Sequence, residues 1–67
     1  MDDVKKDTKT VVESFEPFTY YNYNQISRRT NIYGEELLNI LETLTQEGRL
    51  MKGYQEGELY PSWRVNQ

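Results

Sequence analysis

The chain has 67 residues and a net charge of −3, with neither cysteine nor histidine. That length allows one small domain, and the missing residues exclude disulfides, thiolate metal sites and the commonest general base. Aromatic residues make up 13% of the chain, among them six tyrosines, a load that argues against disorder.

Residues 1–7 are mostly charged and are expected to fray, leaving 8–67 as a single domain. Val11, Val12 and Phe15 fall at helical spacing, with Val4 seven residues before Val11. A first helix is predicted from about Asp3 to Glu16, stopped by Pro17. Phe18-Thr19-Tyr20 reads as a short strand because aromatic and β-branched residues favour extended backbone. Asn22 or Asn24 can cap a short second helix that carries Ile26 and ends near Arg29. Thr30-Asn31-Ile32 then reads as a tight turn, Asn31 tolerating left-handed backbone.

Leu37, Leu38, Ile40, Leu41 and Leu44 form an apolar stripe on a third helix, about Gly34 to Glu47. Gly48 sits where a left-handed cap belongs. A strand from Leu50 to about Tyr54 follows, then a turn at Gln55–Glu58 with Gly57 at positive φ. The returning strand is predicted over Leu59–Val65, with Leu59, Trp63 and Val65 on one side. Pro61 lies inside it, so an edge or bulged strand is expected. The expected core is Val12, Phe15, Ile26, Ile32, Leu37, Leu41, Leu44 and Trp63.

The stretch NQISRRTNI, followed by Leu37, Leu41, Leu44, Gly48 and Leu50, carries the most information. Ile26 and Ile32 are spaced to pin a short helix across the third, and Gly48 lets that third helix stop and turn into a hairpin. This pattern resembles the winged helix-turn-helix superfamily over Val11 to Val65. The resemblance implies an α+β fold: a small winged-helix domain of three helices, a C-terminal β-hairpin wing and a short first strand. It makes Tyr33–Glu47 the recognition helix and Gln55–Glu58 the tip of the wing.

The same resemblance makes DNA binding in transcriptional regulation the first functional expectation. Arg28, Arg29, Arg49, Lys52 and Arg64 are then the phosphate contacts, and Tyr33 and Asn39 the base contacts. The charge of the reader helix opposes this. Tyr33–Glu47 carries four glutamates and no cation, while the rest of the chain has seven acidic and eight basic residues. Affinity for DNA comes mainly from cations that displace counterions. Glu35 and Glu36 suit the first turn of a helix, where negative charge meets the macrodipole favourably.

The alternative is a winged-helix module that binds protein through its acidic third helix. The chain is similar in length, layout and charge sign to the dissimilatory sulfite reductase D protein, and an acidic DNA mimic has the same signature. Six tyrosines exceed what so small a core hides, which points to a protein partner or a homodimer. No nucleophile–base pair, phosphate-cradling glycine loop or metal-ligand cluster occurs, so neither an enzyme nor a bound cofactor or metal is expected. With no long apolar run and no apolar leader, a cytoplasmic location away from membranes is expected.

Overall fold

The computed structural model describes the backbone of residues 2–66 and the side chains of residues 7–66. Three helices and a three-stranded antiparallel sheet make an α+β arrangement in the order α1 (Asp2–Glu13), β1 (Tyr21–Asn22), α2 (Tyr23–Thr30), α3 (Gly34–Gln46), β2 (Leu50–Gly53), β3 (Ser62–Val65). The fraying expected of residues 1–7 and the packing of Val4 lie outside the described side chains; the backbone from Asp2 belongs to α1.

Helix α1 ends three residues earlier than the predicted Glu16. The Ser14 hydroxyl donates to the Val11 carbonyl at 2.6 Å, and the Phe15 N–H bonds back only three residues, to Val12. This tightened last turn ends the helix ahead of Pro17, whose ring disfavours helical backbone at Glu16. Phe18 is a turn residue with φ +62° and is exposed, so the first strand is not Phe18–Tyr20. The chain meets its ladder partner only at Tyr21 and Asn22, opposite Trp63 and Ser62.

Asn22 caps α2. Its side chain accepts from the Gln25 N–H while the Gln25 side chain accepts from the Asn22 N–H, both at 2.9 Å. This reciprocal box satisfies two of the helix's orphan donors. Asn31 ends α2 in left-handed backbone at φ +62°, as the turn requires. At the far end of α3, Gly48 has φ +79°. The Arg49 N–H bonds to the Leu44 carbonyl at 2.9 Å and the Gly48 N–H to Thr45 at 3.1 Å. That pair of bonds is a Schellman cap, and it reverses the chain into β2.

The hairpin differs from the expected one in two respects. Strand β3 lies in the middle of the sheet, in the order β1-β3-β2, and is not an edge. Its ladder starts at Ser62, so the N–H that Pro61 lacks falls outside the pairing. Leu59 belongs to the loop 54–61 and is exposed, because the alternation seen in Trp63 and Val65 starts only where the ladder does. The turn at the loop's tip is present: the Glu58 N–H bonds to the Gln55 carbonyl at 3.0 Å, with Gly57 at φ +84°.

The core joins Val11, Phe15, Tyr21, Ile26, Ile32, Leu37, Ile40, Leu41, Leu44, Leu50 and Trp63. Val11 takes the central place expected of Val12, which packs half-buried beside it. Phe15 and Tyr21 meet edge to face, ring centres 5.4 Å apart. Leu38 leaves the apolar stripe and is exposed.

Candidate functional site

Register fixes which strand residues share a face. Leu50, Lys52, Val65, Trp63 and Tyr21 are on one side, since directly opposed residues point the same way. Met51, Gly53, Ser62 and Arg64 are on the other. The first side meets α3 in the core. Lys52 therefore faces α3 and Arg64 faces away from it.

The seven residues expected at DNA do not form one basic surface. Arg64 lies across the Tyr20 ring, its guanidinium carbon 5.8 Å from the ring centre, and donates to the Met51 sulfur at 3.4 Å. Arg29 faces its own fold. Its Nε donates to the Ser14 carbonyl at 2.8 Å, and its guanidinium carbon is 4.9 Å from the Tyr21 ring centre. It thereby caps the end of α1. Lys52 lines a groove together with Glu42. Arg28 and Arg49 are exposed, at the end of α2 and just past the α3 cap. Tyr33 is the N-cap residue of α3, and its hydroxyl donates to the Asn31 side chain at 2.8 Å. Asn39 is exposed on the outward face of α3.

The N-terminus of α3 is held by a residue that sequence reading does not single out. The Tyr23 hydroxyl accepts from the Gly34 N–H. Of the six tyrosines, Tyr21 is buried and Tyr20 and Tyr23 are half-buried, which leaves Tyr33, Tyr54 and Tyr60 exposed.

Two grooves share Leu38 and Trp63: one between the start of α2 (Asn22, Tyr23, Asn24), Leu38 and the loop 54–61, the other between α3 and β2. The larger, about 600 Å³, has Leu38, Tyr60, Pro61 and Trp63 in its lining, with Glu58 among them. The second, about 430 Å³, continues along α3 past Glu42 and Thr45 to Lys52. Leu38 and Trp63 line both. At about 3.6 residues per turn, Glu35, Leu38, Glu42 and Thr45 share this flank of α3. The first groove is mainly apolar with Glu58 in its lining, and the second is mixed, with Glu42, Thr45, Gln46 and Lys52 beside Leu38 and Trp63. The sequence offers little signal for this face: Leu38 reads as part of the α3 stripe, and Tyr60 stands beside a proline inside what reads as a strand.

Among the described residues, no three His, Cys, Asp or Glu side chains are grouped to hold a metal ion, and no helix is long and apolar enough to cross a membrane. No family model matches the chain, and no curated protein or solved structure matches it.

Proposed function

We propose that this chain is a winged-helix domain that docks another protein on the face between α3 and the loop 54–61, and that it performs no catalysis. Three observations support the winged-helix reading: the element order, the β1-β3-β2 pairing, and the short Asn31 turn joining α2 to α3. In that reading, α3 is the helix that would enter a major groove and the loop 54–61 is the wing.

One observation carries the choice of partner. The α3–wing face presents Leu38 and Tyr60 with Glu42 and Glu58 in its grooves, while Lys52 and Arg64 occupy opposite faces of the sheet. Exposed apolar surface rimmed by polar groups marks a protein interface. Duplex DNA needs cations converging on phosphates, and Arg29 is engaged with Ser14 and Tyr21.

DNA binding stands as a second reading, favoured by the exposure of Arg28 at the end of α2, Asn39 on α3 and Arg49 just past the α3 cap. Gel retardation with random duplex DNA decides between the two. The test belongs at about 50 mM salt, where a protein with many phosphate contacts binds about 10³–10⁵-fold tighter than at about 200 mM. No retarded complex is expected at micromolar protein. A complex that dissolves steeply with salt, and is lost on replacing Arg28 and Arg49 by Ala, would establish DNA as the partner instead.

A further inference from the structure

Trp63 is 95% buried by its 5% exposure, yet its indole N–H has no acceptor. It is the one buried side-chain nitrogen or oxygen without a partner among the described residues. Indole N–H is a donor only, and a buried donor left unmatched is costly, so such groups are rare and call for a cause. Trp63 also lies under the junction of the two grooves, with Leu38 across from it.

The grooves themselves restrict what fits. The larger is in the size range of ligand pockets, about 300–1,000 Å³. Leu38 and Trp63 line both grooves, so an occupant that fills both must be elongated. The apolar residues Leu38, Tyr60 and Trp63 offer seats for apolar side chains. The charges select the sign. Glu58 stands in the first groove and Glu42 in the second, Glu35 shares the α3 flank, and Lys52 is the one cation lining either groove. A second copy of the chain seated face to face would set two faces of the same acidic sign against each other. A cationic partner gains where a second copy is repelled.

We infer that the α3–wing groove takes a cationic, apolar peptide segment of another protein. Its apolar side chains sit against Leu38, Tyr60 and Trp63, and its Lys or Arg side chains meet Glu42 and Glu58. This rests on the protein-docking reading and adds the chemistry of the partner.

Trp63 is the single tryptophan, so the ¹⁵N-labelled chain shows one indole cross-peak. The probes are a short peptide of alternating leucine and arginine, its leucine–glutamate counterpart, and random duplex DNA. The leucine–arginine peptide is expected to move the indole cross-peak together with the amides of Leu38 and Tyr60, and the leucine–glutamate peptide to leave them in place. The double substitution E42Q/E58Q, exposed changes that leave the core intact, is expected to weaken the complex about three- to tenfold. Leu38→Ala is expected to weaken it independently of charge.

Equal binding of both peptides, shifts confined to the Tyr20–Arg64 face, or no shift with either peptide overturns this inference while the docking reading stands. Shifts of the α3–wing resonances with duplex DNA and with neither peptide overturn both.

Discussion

Arg29 and Arg28 are neighbours in sequence with different fates. Helical geometry turns Arg29 back onto α1, where it bonds to Ser14 and lies over Tyr21 although both arginines are exposed. A hydrogen bond from a charged donor and a cation–π contact are each worth about 0.5–2 kcal/mol in such settings. Arg29→Ala is therefore expected to lower stability by about 1–2 kcal/mol in urea unfolding, and Arg28→Ala to stay within about 0.5 kcal/mol of the parent. Equal effects would show that the inward contact contributes nothing. The sequence places both arginines at a helix end, and that much is legible. The acceptor, Ser14, is fifteen residues away, and no local pattern announces it. The same holds for Tyr23, whose hydroxyl caps α3 from eleven residues upstream.

At the level of elements, legibility follows length and period. The α3 stripe repeats over three turns and is closed by Gly48, so both its phase and its end are written in the residues. Leu37, Leu41 and Leu44 are fully buried accordingly. Leu41→Ala should cost about 2–5 kcal/mol, against a total of about 3–10 kcal/mol for a domain of this size, so chemical denaturation should show a large loss of folded protein. A cost under about 1 kcal/mol would mean that the core does not close on this residue. Gly48 is testable separately. At φ +79°, with open space around the missing Cβ, its replacement by Ala meets backbone strain alone, about 1–2 kcal/mol. Gly53→Ala is the contrast: its Cβ would meet the Tyr20 ring at an ordinary 3.6 Å, without left-handed backbone. Near-equal losses for the two would refute the cap as a source of stability. The strands are less legible. β1 is two residues long and is a strand only because Trp63 and Ser62 lie opposite. The alternation from Leu59 to Val65 crosses the point where the loop ends, so Leu59 reads as inward although it is exposed. Pro61 suggests an edge strand, but it falls one residue before the ladder.

For the whole molecule, the distribution of charge governs how copies meet. The tyrosine surplus that motivates a homodimer reduces to Tyr33, Tyr54 and Tyr60 once Tyr20, Tyr21 and Tyr23 are placed in or beside the core. Of the exposed three, Tyr60 shares a groove with Leu38 between α3 and the loop 54–61, so that face is where copies would associate. A two-fold contact there sets two faces of the same acidic sign, carrying Glu35, Glu42 and Glu58 against Lys52 alone, opposite each other. Repulsion and apolar attraction then oppose each other, and ionic strength decides between them. The Debye length is about 30 Å at 0.01 M salt and about 3 Å at 1 M, so the repulsion spans the interface in the first case and vanishes in the second. The apolar attraction does not weaken over that range. Light scattering at high micromolar concentration should therefore find a monomer at low salt, with self-association rising as salt is added. E42Q/E58Q should shift the onset of association to lower salt. A dimer that is present at 0.01 M salt and dissociates as salt rises would place the contact on oppositely charged surfaces, away from the face between α3 and the loop 54–61.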